Sequence, residues 1–190
     1  TAMTLMGLLP GNVSAADARI AFCGKPLPES RQKLLGVEMV YIPQNGLEFL
    51  NPSKKVRIHL YDSLQKLGIP RKQRARIALQ KLAEVGFERP ESVIDKYPFQ
   101  LSGGMAQRVT IAISACSEAK LVMADEPTNG LDHEAKVRFM DMLKSLFPDA
   151  AKLIITHDIG VAALCDKTLV LCGGKMMEAG PSSMLLSTPR

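Results

Sequence analysis

The sequence contains no run of about eighteen apolar residues, the length a helix needs to cross a bilayer. Its opening stretch, Thr1 to Pro10, is apolar but has no basic flank and no small-residue cleavage site, so it does not read as a secretory signal. The four cysteines, Cys23, Cys116, Cys165 and Cys172, show no CxxC spacing. That speaks against a metal cluster and for reduced thiols in a cytoplasmic protein. Internal repeats and low-complexity tracts are absent. The formal charge of +5 is mild, permitting contact with nucleic acid or a membrane surface and demanding neither. The most informative gap is the phosphate-cradling loop G-x-x-x-x-G-K-[ST], which occurs nowhere. Gly24-Lys25 is followed by Pro26, and Gly174-Lys175 by Met176. What 190 residues with 46% hydrophobic content do allow is a real core, as one domain or a core with a subdomain.

The densest stretch is Leu101 to Asp132, LSGGMAQRVTIAISACSEAKLVMADEPTNGLD. A turn at Ser102, Gly103 and Gly104 leads into an apolar-periodic helix over Val109 to Ala115. Then Leu121-Val122-Met123-Ala124, a strand-length apolar run, ends in Asp125-Glu126. Two glycines let a backbone approach a phosphate, and N–H groups at a helix start favour an anion there. A carboxylate at the end of a buried strand suits Mg²⁺, directly or through water, and a second beside it suits an attacking water.

Elsewhere, Thr1 to Leu9 has helical character and stops at Pro10-Gly11. Gly36 to Pro43 alternates as a strand, with Gln44 after it. Val56 to Gly86 reads as two helices broken at Gly68-Ile69-Pro70. The second carries Arg71, Lys72, Arg74 and Arg76, but no aromatic residues interleave to stack on bases, so the cations read as a solvated face. Lys152 to Thr156 is a buried-type strand ending at His157, whereas His59 and His133 read as surface residues. Thr168 to Cys172, Gly173-Gly174 and Lys175 to Glu178 form strand, turn and strand, and Gly180-Pro181 starts a polar segment to Arg190.

Ser-Gly-Gly, the apolar strand and Asp-Glu, in this order and spacing, resemble the ATP-binding-cassette (ABC) ATPases. LSGGM resembles their signature, LVMADE their Walker B strand, and Pro127 to Asp132 their D-loop. Gln44 resembles the Q-loop glutamine and His157, in IITHD, the switch histidine. Gly7-Leu8-Leu9-Pro10, Leu50-Asn51-Pro52 and Tyr97-Pro98-Phe99-Gln100 are similar to the peptide and nickel importer branch, and Met105 is common there. Asn45, Gly46 and Ala106 depart from that branch, which has an acidic residue and proline after the glutamine and arginine in place of Ala106. The helix ending at Pro10 resembles the one after the P-loop, so the chain is expected to start just past that loop and to stop short of a further C-terminal region.

The resemblance implies an α/β P-loop core lacking its N-terminal strands and P-loop, with an inserted helical subdomain. Residues 1–44 and 119–190 would belong to the core and 45–118 to the subdomain. It implies ATP and Mg²⁺ as ligands, with catalysis by Glu126, His157 and Gln44. Nucleotide binding would fall to Ser102, Gly103, Gly104, Gln107 and Asp132, and metal binding to Asp125 and Gln44. Implied partners are a second ABC ATPase subunit paired head to tail, membrane permease subunits and, indirectly, an extracytoplasmic binding protein, at the cytoplasmic face of the membrane and without nucleic acid. The implied activity is ATP hydrolysis driving uptake of a dipeptide, oligopeptide, nickel ion or metal chelate. Two rivals are a soluble ABC ATPase acting on nucleic acid or ribosomes, and an inactive ABC-fold fragment. The chain lacks the long insertions or tandem cassettes of the first, and Asp125, Glu126 and His157 speak against degeneracy.

Overall fold

The computed structural model describes Met6, residues 19–27 and residues 33–187. The helix expected over Thr1 to Leu9, with its Gly7-Leu8-Leu9-Pro10 ending, lies outside the described residues apart from Met6, as does Thr188-Pro189-Arg190.

Two short strands, β1 (Ala21–Phe22) and β2 (Lys25–Pro26), pair as a small hairpin. The central sheet is parallel, with β3 (Met39–Ile42), β4 (Leu121–Asp125) and β5 (Ala151–Ile155) in the order β3-β4-β5. Parallel pairing needs long crossovers, and helices supply them. Between β3 and β4 run α1 (Gly46–Phe49), α2 (Val56–Lys66), α3 (Arg71–Glu84), α4 (Glu91–Ile94) and α5 (Gly103–Ser114); between β4 and β5 runs α6 (His133–Leu146). After β5 come α7 (Ile159–Ala163), the antiparallel hairpin β6 (Lys167–Cys172) and β7 (Lys175–Pro181), and α8 (Ser182–Leu185). This is an α/β core with a helical insertion.

The apolar run 121–124 is explained by its place. β4 is the middle strand, and Val122, Met123 and Ala124 are fully buried, as in parallel sheets covered on both faces. The register Ala124↔Ile154 and Asp125↔Ile155 brings Asp125 to the carboxyl end of the sheet beside β5. Gly68, at φ +74°, and Pro70 separate α2 from α3. Buried Leu60 and Leu64 on α2, and Ala78 and Leu82 on α3, recur at helical i, i+4 spacing. They share one core with Val109 of α5, Leu143 of α6 and Ile42 and Val122 of the sheet, so the insertion is welded to the sheet. Truncating a residue such as Leu60 to alanine would destabilise this core by about 2–5 kcal/mol. Arg71, Lys72 and Arg76 are exposed, while Arg74 donates to the Ile69 carbonyl and the Gln65 side chain across the α2–α3 junction.

Three local expectations change. The strand expected over Gly36 to Pro43 is shorter, because Gly36 adopts φ +75° and donates to the Met39 carbonyl, closing a turn before Met39. Gly180-Pro181 belongs to β7, paired opposite Thr168 and Lys167 rather than opening a polar segment. Proline is tolerated at that terminal position, where no ladder N–H is needed. His59 is half-buried, its ring 3.4 Å from the Asn51 carbonyl, whereas His133 is exposed at the start of α6.

Candidate functional site

The site forms where the chain leaves three adjacent elements, β3, β4 and the start of α5. Asp125 is the last residue of β4 and half-buried. From the neighbouring strand, the Tyr41 hydroxyl donates to Asp125 Oδ2 at 3.1 Å. Burial, then the Asp125 charge and this hydrogen bond, push the Tyr41 phenol up to about 12. Asp125 Oδ1 has no side-chain or backbone donor among the described residues.

Glu126 follows with φ +44°, a left-handed conformation that costs a non-glycine residue roughly 1–3 kcal/mol. Surrounding bonds hold it there. Its N–H donates to the Ile155 carbonyl at 2.8 Å. Its Oε1 accepts the His157 N–H at 3.0 Å and lies 2.7 Å from His157 Nδ1, and its Oε2 accepts the Thr156 hydroxyl at 3.3 Å. Two of the three expected catalytic residues, Glu126 and His157, are therefore one hydrogen-bonded unit joining the ends of β4 and β5, and Gln44 is not part of it.

Ser102 caps α5, accepting the Met105 N–H at 3.3 Å. Gly103 and Gly104 face open space: a Cβ on either would meet nothing within 4 Å. Their N–H groups have no protein acceptor among the described residues, which suits an anion at a helix start. Gln107, one turn further, donates its side-chain amide to the Pro127 carbonyl. Asp132 is exposed and caps α6, accepting the Ala135 N–H at 2.8 Å.

A cleft of about 920 Å³ joins part of this set: Gln44, Gly103, Gly104, Gln107 and Asp125 all line it, with Tyr41 at its wall. Glu126, His157, Ser102 and Asp132 are not among its lining residues. The structure thus brings the signature glycines beside the same chain's own Asp125 and sets the Glu126–His157 unit to one side. Gln44 is exposed just past β3. Among the described residues, the charged side chains lining the cleft are Asp125 and Glu48, with no lysine or arginine. A hard divalent cation, which takes oxygen ligands and keeps several waters, fits Asp125 Oδ1 and the Gln44 amide oxygen. Among the described residues, no group of three or more His, Cys, Asp and Glu side chains could hold a metal by itself. Such a cation would complete its shell with water and phosphate oxygens.

Tyr41 was not legible in the sequence: in an alternating strand it is one more core-type residue, and only the parallel register reveals that it reaches Asp125. Thr156 carried a weak signal, standing directly before His157 at a strand end. Among the described residues, no helix is long and apolar enough to cross a membrane.

Comparison with known proteins gives consistent neighbours. A sequence profile described as ABC transporter matches residues 3–129. The nickel import ATP-binding protein NikD of Rhodospirillum rubrum is 33% identical over 188 residues, spanning 97% of this chain and 71% of that protein. The probable D,D-dipeptide transport ATP-binding protein DdpD of Escherichia coli is 33% identical over 199 residues, spanning all of this chain and 61% of that protein. Among solved structures, cbiO1 from Clostridium perfringens, described as part of the ABC transporter complex cbiONQ, superposes with a TM-score of 0.74 at 26% identity, covering 97% of this chain and 72% of that one. The ATP-binding cassette MJ0796, in a dimeric post-hydrolysis state with ADP and Pi, shares the fold at a TM-score of 0.71 and 24% identity, over 85% of this chain and 72% of that one.

Proposed function

The chain belongs to the ABC transporter family of ATP-binding proteins, and from that premise we propose that it is the ATP-binding subunit of an importer, hydrolysing ATP to drive uptake of a dipeptide, oligopeptide, nickel ion or metal chelate. The choice of solute class is supported by the names of its relatives, a nickel importer subunit and a D,D-dipeptide transport subunit. The observation that carries the catalytic reading is the end of β4, where Asp125 opens onto the cleft and Glu126 is clamped by Thr156 and His157.

In this reading Asp125 and Gln44 would hold Mg²⁺, which supplies neutralisation of the phosphate charge. Glu126 polarises the attacking water, and His157 holds the Glu126 carboxylate and senses the γ-phosphate with Gln44. Catalysis is then positioning plus electrostatics, as in other phosphoryl transfers. Two such subunits pair head to tail, so that Ser102, Gly103 and Gly104 offer their helix start to a nucleotide gripped by the other subunit, with Asp132 beside it. Core residues 1–44 and 119–190 carry the metal and water chemistry, and the insertion 45–118 carries the signature. The segment after Gln44 docks on a permease at the cytoplasmic face of the membrane, with an extracytoplasmic binding protein delivering solute. Phe49 is half exposed and available for that contact, whereas Leu50 belongs to the core.

The test is Glu126→Gln in the assembled transporter. ATP binding should persist while turnover falls about 10²-fold or more, the scale of a lost general base. Turnover within about threefold of the unaltered protein refutes the assignment.

A further inference from the structure

Gln107 stands where three parts of the site meet. On its backbone side it carries α1: a Cβ on Gly46 would lie 2.7 Å from Gln107 N and 2.8 Å from both the carbonyl carbon and oxygen of Ala106. Only glycine lets the turn after Gln44 rest directly on α5. Gly46 and Ala106, two of the three departures from the importer pattern, meet here through the Ala106 backbone rather than its side chain. On its side-chain side, Gln107 donates Nε2 to the Pro127 carbonyl, twenty residues on in the chain. Pro127 is buried, has no N–H of its own, and directly follows Glu126 at φ +44°. Among the described residues no other group donates to the Pro127 carbonyl.

We propose that Gln107 is a positioning residue for Glu126 rather than a ligand of the nucleotide. Its amide holds Pro127 and so keeps the left-handed turn at Glu126 set. Its backbone, bearing Gly46, passes displacement of the Gln44 segment to that turn. A permease pressing on residues after Gln44 would move α1, α5 and the Glu126–Pro127 peptide as one body. This rests on the reading of Glu126 given above, but the mechanical link itself needs no nucleotide to be seen.

The test is amide hydrogen exchange, followed by NMR, on the ligand-free chain and on Gln107→Glu and Gln107→Ala. Glutamate keeps the length and shape but offers the Pro127 carbonyl an oxygen instead of an N–H. Both variants should speed exchange at the amides of Glu126, Asn129 and His157 by about tenfold, the scale of one lost hydrogen bond. The helix amides of Leu64 and Leu82 should keep their rates. Gly46→Ala also lowers the stability of the whole fold, so it should accelerate these three amides beyond whatever change Leu64 and Leu82 show, and combining it with Gln107→Ala should not enlarge that excess. In the assembled transporter, Gln107→Glu should lower kcat about tenfold with KM for ATP within twofold, the split expected when no ground-state contact is lost. Unchanged exchange at the three amides, acceleration spread evenly over the fold, or a raised KM with unchanged kcat each overturns the proposal. If Glu126→Gln leaves turnover intact, the catalytic reading fails on its own, while the exchange pattern still decides the link from Gln107 to Pro127.

Discussion

Gly46 and Gly103 offer a contrast that separates packing from function. At Gly46 the added methyl of alanine meets three backbone atoms of α5 at 2.7–2.8 Å. Backbone inside a helix cannot swing aside as a side-chain tip can, so α1 must lift from α5. Overpacking of this kind costs about 1–3 kcal/mol. Alanine's better helix propensity returns at most about 1 kcal/mol, and less at the first residue of a four-residue helix. The net destabilisation is about 1–2 kcal/mol. For a chain of this size 1 kcal/mol moves the midpoint by about 2–4 °C, so Gly46→Ala should melt about 2–8 °C below the unaltered chain. Gly103 also starts a helix, but a Cβ there meets nothing within 4 Å. Gly103→Ala should therefore melt within about 2 °C of the unaltered chain or above it. If Gly103 serves a phosphate, that variant should nevertheless lose ATP turnover in the assembled transporter. Thermal melts by circular dichroism read the first effect and a phosphate-release assay the second. A Gly46→Ala protein as stable as its parent, or a Gly103→Ala protein destabilised equally, refutes the close-approach argument.

Three further outcomes follow from single contacts. Burial pulls the His59 imidazole below its ordinary value despite the Asn51 carbonyl and Asp62, with Lys54 acting in the same direction as burial. The unfolded chain then binds the extra proton first, so stability contributed by neutral His59 is present above pH 6.5 and is lost as pH falls through and below it. Discounted for solvent screening, the loss is under about 1 kcal/mol, and urea melts at pH 7.5 and 5.5 should show it shrink in His59→Gln. Tyr41→Phe removes the donor to Asp125 Oδ2, and the Mg²⁺ concentration for half-maximal turnover should rise about tenfold, the lower scale for a lost partner of a metal-binding group. Asp132→Ala uncaps α6 and should lower stability by about 1 kcal/mol, or about 2–4 °C in a thermal melt.

Much of the fold was legible because its strongest signals are local. The run 121–124 is apolar on both faces, which only a covered central strand permits, and Gly68 with Pro70 breaks two helices that each carry buried residues at i, i+4. Asp125 and Glu126 were legible because they close the buried run of β4, and His157 because it follows an apolar run, although β5, expected as a buried-type strand, is only partly buried, with Leu153 exposed. Pairings across the chain were not legible. Tyr41 meets Asp125 across 84 residues and Gln107 meets Pro127 across 20, and neither distance leaves a periodic trace. Gly46 read as a departure from a pattern until the backbone of α5 appeared beneath it. Leu50 was readable as a motif residue, but its near-complete burial shows that Leu50-Asn51-Pro52 is first a packing and turn device: Asn51 Oδ1 accepts the Ser53 N–H.

The left-handed turn at Glu126 has a use beyond strain. Asp125 and Glu126 are adjacent in sequence, and two carboxylates sharing one set of donors would compete. The structure instead sends them to opposite neighbours: Asp125 toward β3, where Tyr41 waits, and Glu126 toward the end of β5, where Thr156 and His157 wait. Each carboxylate thereby has its own donors. Among the described residues, the cleft on the Asp125 side is lined by two carboxylates and no cation, an arrangement that would repel a bare triphosphate. A divalent cation would reverse that sign locally, whereas the open N–H groups at Gly103 and Gly104, with no carbon in the way, are those the proposed pairing offers to the other subunit's nucleotide. Under the proposed function, Asp125 in the lining of this cleft would serve the metal, and the Glu126–His157 unit, held by the end of β5, would serve the attacking water.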